Sequence, residues 1–281
     1  MRALIDRIPD KPVYFELRNQ LRRFVSGSLK GNQVASLVVI LIFFSMIAYS
    51  SLSAAKYIPL SVVMFILPGL AWLTIPGAVS GLISGELQKR SLDPLLASPL
   101  RPHQLVTAKA LRALPMAVVI YGSGLGLIVL LAIGKLFQGD QVGSEVLPAP
   151  ISIVAGTIIF LATAYSSTGL SLAVSSVTRT TVASLLTCFG AMLCLYALLP
   201  AVVVPIIAAI DSQAVPYVMA LHPYGALSLC VFTLPYSNVN MVAAMGLAAF
   251  GTCIQFAIGW LGFAFAATRI GHYTKKGTGV S

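Results

Sequence analysis

Residues 180–210 read TTVASLLTCFGAMLCLYALLPAVVVPIIAAI, a run of 31 residues without Asp, Glu, Lys or Arg. A helix needs ~20 apolar residues to cross the ~30 Å hydrocarbon core of a bilayer, so this run is long enough to span it. Five other runs also lack these four residue types: 31–55, 57–85, 113–134, 146–178 and 212–268. None shows the apolar–polar alternation of a barrel strand. The sequence predicts an all-α, polytopic membrane protein with six transmembrane helices.

The composition supports this fold class, because hydrophobic residues make up 58% of the 281 residues and charged residues only 9%. Soluble domains carry ~25% charged residues. We expect residues 1–281 to form a single transmembrane domain. Its predicted spans are 34–54, 59–83, 108–134, 151–176, 181–205 and 241–267. Pro200 and Pro205 are expected to end the fifth span, because proline breaks the helical hydrogen-bond pattern.

The positive charge is distributed in a way that predicts the orientation. With six spans and a cytoplasmic N-terminus, 16 of the 18 Lys and Arg residues face the cytoplasm, and only Lys56 and Lys135 lie outside. Cytoplasmic loops of membrane proteins carry this excess. We therefore expect a multi-pass protein of the cell membrane with both termini cytoplasmic. The charged opening of the chain predicts no cleavable signal peptide. The net charge of +10 reflects orientation and indicates no nucleic-acid partner.

Two segments outside the spans have membrane-interface character. Residues 13–30 predict an interfacial helix that contacts membrane lipids, because apolar residues recur at helical spacing beside a group of arginines. These arginines are Arg18, Arg22 and Arg23. Residues 216–236 predict an outer re-entrant segment, because the apolar piece 225–234 is too short to span. It follows His222, Pro223 and Tyr224.

Glycines in the third predicted span form a G-x-G-x-G pattern at Gly122, Gly124 and Gly126. The pattern lies within an apolar run and follows no strand, which excludes a dinucleotide-binding turn. Small residues on a membrane helix usually allow a neighbouring helix to approach closely. We predict that these three glycines serve helix packing.

Sequence signatures of enzymes and metal sites are missing. The three histidines lie in separate regions, and the four cysteines lack CxxC spacing. There is no GxxxxGK[ST] phosphate loop. We therefore expect no enzymatic activity, no metal site and no cofactor bound by this chain. The predicted spans also lack the mid-membrane ionisable residues typical of ion-coupled carriers.

One charged segment, 85–112, separates the second and third predicted spans and reads GELQKRSLDPLLASPLRPHQLVTAKALR. It carries five basic and two acidic residues, and its leucines give it a partly apolar face. It lies on the predicted cytoplasmic side. A short amphipathic segment in this place is suited to contact a soluble partner.

This segment and the order of the predicted elements resemble the type 2 ABC-transporter permeases, the membrane subunits of ABC exporters. Members of that family typically have a Glu after the second span, a Leu-Leu-x-Ser-Pro phrase and a Lys that opens the third span. The matching residues here are Glu86, Leu95-Leu96-Ala97-Ser98-Pro99 and Lys109. Arg90-Ser91 replaces a common Gly-Thr, and Asp93 replaces the usual Glu. His222-Pro223-Tyr224 is similar to the Asn-Pro-aromatic phrase before the last span.

The resemblance implies a coupling helix over 86–99 that inserts into a separate cytoplasmic ABC ATPase subunit, which binds ATP and Mg. Leu92, Leu95 and Leu96 would be its apolar anchors. Charged and polar contacts would come from Glu86, Lys89, Arg90, Asp93 and Ser98. Glu86 would alternatively pair with Arg18 or Arg22.

The resemblance also implies that two permease copies, identical or different, pair around a transport path. The sequence leaves the substrate open among lipid-like, drug-like and glycan-linked molecules. Two other function classes remain: an ion-coupled carrier or channel, and a membrane scaffold whose charged loop recruits a cytoplasmic partner.

Overall fold

The structure, a computed structural model, describes residues 61–89, 101–137, 150–211, 214–220, 222–223 and 241–277. It is 94% helical and contains no strand within these ranges. The predicted all-α class is confirmed for them. The first predicted span, the interfacial helix 13–30 and residues 90–99 of the predicted coupling helix lie outside the described residues.

The described chain forms nine α-helices. They are α1 (Ser61–Val79), α2 (Gly81–Gln88), α3 (Pro102–Ala110), α4 (Leu114–Phe137), α5 (Pro150–Val177), α6 (Thr181–Leu193), α7 (Leu199–Ile210), α8 (Val215–Ala220) and α9 (Met241–Gly277). A 3-10 turn, Leu111–Ala113, joins α3 to α4, and a π-helical turn, Cys194–Leu198, joins α6 to α7.

Five stretches of these helices are long and apolar enough to cross a membrane. They are Leu67–Gln88, Pro102–Gly126, Val154–Val177, Thr181–Ile210 and Met245–Tyr273. This finding is consistent with a multi-pass membrane protein. Each stretch overlaps one of the five predicted spans after the first.

Helix α5 is the centre of the described bundle, because it packs on α1, on α6 and most extensively on α9. The main core is apolar and includes Leu67, Ile75, Ile83, Phe160, Leu172 and Ile270. Successive spans run in opposite directions. The end of α2, the start of α3, the turn between α5 and α6 and the last turns of α9 therefore meet at one end of the bundle.

Backbones approach most closely where α5 crosses α9. A Cβ atom added to Gly262 would lie 2.5 Å from the backbone C and O atoms of Gly169, and one added to Gly169 would overlap the backbone of Gly259. The glycines of α4 are placed differently. Gly124 faces the Leu67 side chain, whereas no atom of a described residue lies within 4 Å of a Cβ added to Gly122 or Gly126.

The fifth predicted span continues past its expected end. Helix α7 contains Pro205 and extends to Ile210, with Pro200 in its first turn. The expectation that these prolines end the helix is wrong. A proline in the first turn removes an N–H that has no helical partner there. The π-helical turn immediately before Pro200 accommodates the change in the hydrogen-bond pattern.

Candidate docking site at the basic end of the helices

Basic residues gather where α2, α3, the α5–α6 turn and the end of α9 meet. Lys89, Arg101, Arg179 and Arg269 are exposed there, and we call this surface the basic end. At the opposite end, α4 carries Lys135 and Asp211 follows α7. Exposed cations on one surface favour a partner or a membrane leaflet that carries negative charge.

An ion pair joins α2 to α3 just inside the basic end. The Nζ atom of Lys109 donates a hydrogen bond to Oε1 of Glu86 at 2.5 Å. The Lys109 side chain is 3% exposed and that of Glu86 is 24% exposed. The pair therefore lies at the edge of the protein interior. A buried ammonium is stable only when a partner such as this carboxylate compensates its lost hydration.

The second carboxylate oxygen of Glu86, Oε2, is buried and has no hydrogen-bond partner among the described residues. Arg18 and Arg22, which we considered as partners of Glu86, lie outside those residues. The structure therefore pairs Glu86 with Lys109, a residue 23 positions along the chain, and leaves the arginine pairing as a prediction.

A serine cluster, formed by Ser80, Ser84, Ser175 and Ser184, holds α2 against α5 and α6. The helix breaks at Ser80, between α1 and α2, so the first N–H groups of α2 lack helical partners. Oγ of Ser175 accepts hydrogen bonds from the backbone N–H groups of Ile83 and Ser84, at 3.1 and 3.0 Å. Oγ of Ser184 donates to the backbone O of Ser80. The cluster fixes the helix that carries Glu86.

Helix α3, which follows the charged segment, is also held in place, by a capping hydrogen bond and by packing on α9. Its start is capped because Oε1 of Gln104 accepts a hydrogen bond from the backbone N–H of Arg101 at 3.0 Å. Pro102 is its first residue, a position where the missing N–H has no cost. Helix α3 packs along α9, and Gly271 of α9 lies next to Pro102. Residues 90–100 therefore connect two helix ends that are both held by buried contacts.

The hydroxyl of Ser175 is a testable part of this arrangement. Replacing Ser175 with Ala leaves the buried N–H of Ile83 without its acceptor, and an unsatisfied buried group costs about 1–3 kcal/mol. We expect a clear fall in the thermal unfolding midpoint of the detergent-solubilised chain. Ser176→Ala is the matched control, because among the described residues Oγ of Ser176 bonds to Ala173 of its own helix and to no other helix. Equal midpoints for the two variants would contradict the capping role of Ser175.

A second polar group lies near the middle of the spans. The hydroxyl of Tyr196 donates to Oε1 of Gln255 at 2.7 Å and lies 2.7 Å from Oγ of Ser166. The three residues belong to the π-helical turn, α9 and α5. All three are buried. Their hydrogen bonds satisfy polar groups that would otherwise be costly in a membrane interior.

The predicted outer segment reaches this second group. The ring of His222 stands edge-on to that of Tyr196, with centroids 5.9 Å apart, and its side chain is hydrogen-bonded to the Tyr196 backbone. Pro200 has no N–H for the Tyr196 carbonyl, which is thereby available to His222. Pro223 is buried. Tyr224 lies outside the described residues.

Only some of the predicted site residues lie within the described ranges. Glu86 and Lys89 are described, and Lys89 is exposed at the basic end. The remaining coupling-helix and interfacial residues lie outside the described ranges: Arg90, Leu92, Asp93, Leu95, Leu96, Ser98, Arg18, Arg22 and Arg23. The serine cluster was not predicted. The Ser/Thr-rich composition of 151–176 was its only signal in the sequence.

Within the described residues, no group of three or more His, Cys, Asp or Glu side chains could hold a metal ion. Comparison of the chain with protein-family models and with curated protein sequences finds no match.

Proposed function

We propose that this chain is the permease subunit of an ATP-driven ABC exporter of the cell membrane, with both termini cytoplasmic. The observation that carries the proposal is the Glu86–Lys109 ion pair, which ties α2 to α3, the two helices on either side of residues 90–100. These two residues also match the family pattern on both sides of the Leu95-Leu96-Ala97-Ser98-Pro99 phrase. The exposed cations of the basic end favour a partner surface with acidic groups.

The contacts at the basic end suggest how a soluble motor would act on the spans. Helix α2 is bonded through the serine cluster to α5 and α6, while α3 packs on α9. A displacement of the 86–99 coupling helix is therefore passed to both sides of the bundle. In this mechanism, ATP binding and hydrolysis with Mg on two separate ATPase subunits move the spans and alternate access to a substrate path.

A second permease copy, identical or different, would pair with the most exposed span. In Thr181–Ile210, Ser184, Cys188, Met192 and Tyr196 form a buried face, and most of the remaining helix surface is exposed. Its large exposed side chains are Val182, Leu186, Leu193, Leu198, Leu199, Val202, Ile206 and Ile210. Such an apolar surface requires lipid or another helix, and a partner copy would cover it with protein. The substrate itself is not specified by this surface.

The neutral character of the mid-span polar group favours this proposal over an ion-coupled carrier. Ser166, Tyr196 and Gln255 carry no charge, and the Glu86–Lys109 pair lies near the end of the bundle. Ion-coupled carriers usually hold ionisable residues at membrane depth. A scaffold that recruits a cytoplasmic partner would share the docking surface but would not change ATP hydrolysis.

The test is copurification of the tagged full-length chain with the ATPase encoded beside its gene, followed by ATP hydrolysis in lipid nanodiscs. Leu95→Asp/Leu96→Asp is expected to reduce the recovered ATPase at least ~10-fold, because a pair of buried interface anchors contributes about 2 kcal/mol or more. Membrane insertion of the variant should be unchanged.

Ala214→Asp/Met219→Asp is the charge-matched control. Both residues follow Asp211 at the opposite end of the bundle from the 86–99 segment, and Met219 is 37% exposed, so this variant should copurify normally. Normal copurification of the Leu95/Leu96 variant would refute the docking assignment. A complex that forms but hydrolyses ATP independently of the membrane chain would favour the scaffold function.

A further inference from the structure

A groove of about 620 Å³ runs along one side of the bundle, between α3–α4 and α9, with α5 as its floor. Its wall side chains include Leu114, Leu161 and Trp260, which are 48%, 53% and 63% exposed. These three residues lie in candidate membrane spans. The groove therefore opens sideways, toward the hydrocarbon of the bilayer.

Small residues create the space, and aromatic residues shape it. Ala110 lies on the α3 wall and Ala264 on the α9 wall. The ring of Tyr165 on the floor packs against Phe256 and Phe263, with centroids 5.8 and 4.9 Å apart. The lining is mainly apolar in this part, which suits a hydrocarbon chain and offers little to a polar ligand.

The length of the groove fits one membrane leaflet. On α9 the lining extends from Phe256 to Ala267, which is ~17 Å at 1.5 Å per residue. Half of the ~30 Å hydrocarbon core is ~15 Å. A methylene group occupies about the room of a water molecule, ~30 Å³, so the 620 Å³ groove has room for about twenty methylene groups, enough for an acyl chain that spans one leaflet.

One end of the groove is polar and basic. His103 and Thr107 line it there, and both are exposed. Arg101 is two residues before His103, and Arg269 is two residues after Ala267, the last lining residue of α9. This end belongs to the basic end of the bundle. Basic side chains at the membrane surface attract anionic lipid head groups.

We propose that the groove binds one anionic phospholipid of the leaflet at the basic end. An acyl chain lies along α9 over Tyr165, and the phosphate lies beside His103, Thr107 and Arg101. The site goes beyond the proposed transport function and does not depend on it, because a lipid would occupy the groove whether or not an ATPase docks on residues 86–99.

Trp260 provides the probe, because the chain has only two tryptophans. In the full-length Trp72→Phe chain, Trp260 is the single tryptophan. This chain is reconstituted into phosphatidylcholine vesicles that contain a small fraction of bromine-labelled phosphatidylglycerol or bromine-labelled phosphatidylcholine. We expect half-maximal quenching at an about fivefold lower fraction of the labelled anionic lipid, the effect of one basic side chain near the surface.

Three variants assign the preference for the anionic lipid to the groove. Ala264→Phe fills the groove and should remove the preference, whereas Ile254→Phe places the same ring on an exposed position of the same helix outside the lining and should keep it. Arg101→Gln/His103→Gln should abolish the preference for the anionic lipid while quenching by both lipids remains. If Ala264→Phe does not fold, Ala110→Phe fills the groove from the α3 wall.

Equal quenching by the two labelled lipids, or an unchanged preference in Ala264→Phe, would overturn the proposal. The absence of quenching by either lipid would also overturn it, because it would show that a protein segment covers Trp260. None of these results requires an ATPase, so failure of this site and failure of the permease assignment are distinguishable.

Discussion

Replacing Glu86 with Met is expected to destabilise the chain by about 3 kcal/mol or more, because it leaves the Lys109 ammonium without its partner at 3% exposure. Lys109→Met should lower the free energy of unfolding by a smaller amount. The Glu86 side chain that it leaves behind is 24% exposed, against 3% for Lys109, so water can hydrate part of it although its Oε2 atom is buried. The two single variants should therefore differ, with Glu86→Met the lower in thermal unfolding midpoint of the detergent-solubilised chain.

The double variant Glu86→Met/Lys109→Met should recover most of the lost stability, because replacing a whole buried ion pair with apolar side chains is often neutral. The coupling energy is the change in the free energy of unfolding of the double variant minus the sum of the changes of the two single variants. Lys89→Met is the control, because Lys89 is exposed and a surface change should alter stability by no more than about 0.5 kcal/mol. Additive effects of the two single changes would contradict the ion pair.

The positions of the described spans were predictable because charged residues mark where the chain leaves the hydrocarbon. Arg179 separates α5 from α6, and Asp211 follows α7 directly. A charge in the middle of a bilayer is costly, so charge-free runs of sufficient length define spans without knowledge of packing. The exception is the end of the fifth span, where the structure extends the helix to Ile210.

The contacts between spans were less predictable, because they depend on which face of each helix meets a neighbour. The G-x-G-x-G pattern predicted three packing glycines, and among the described residues a neighbouring side chain lies against Gly124. Close backbone contacts instead join Gly169 of α5 to Gly259 and Gly262 of α9, about 90 residues along the chain, so no local pattern marks them. Small residues allow close approach, but the sequence does not say which of them are used.

In the candidate site, too, individual residues were predictable from the sequence and their contacts were less so. Glu86 and Lys109 were each singled out from the sequence, through the family resemblance. Their pairing requires α2 and α3 to return to the same end of the bundle, which the charge distribution predicted. The serine cluster depends on the helix break at Ser80, because the break leaves the N–H of Ile83 without a helical partner and free to bond Ser175. A break of this kind is not specified by composition.

The packing of α5 on α9 should be the part of the fold most sensitive to a single substitution. Gly262→Val is expected to destabilise the chain by about 3 kcal/mol or more, because overpacking costs 1–3 kcal/mol even where flexible side chains can adjust. Here the new Cβ would lie 2.5 Å from backbone atoms of Gly169, which cannot move without shifting α5. We expect aggregation or loss of the monodisperse peak in size-exclusion chromatography of the solubilised protein.

Gly126→Val is the matched control for this substitution. It also places a β-branched residue in a predicted span, but within the described part of the chain no atom lies within 4 Å of an added Cβ at Gly126. Because both variants replace a helical glycine with valine, the effect of valine on helix propensity cancels when their stabilities are compared. Gly262→Ala should fall between the two, since it adds the Cβ without the two methyl groups. A Gly262→Val protein as stable as the Gly126→Val protein would show that α5 and α9 are not in backbone contact, and the central packing of the bundle would then need a different arrangement.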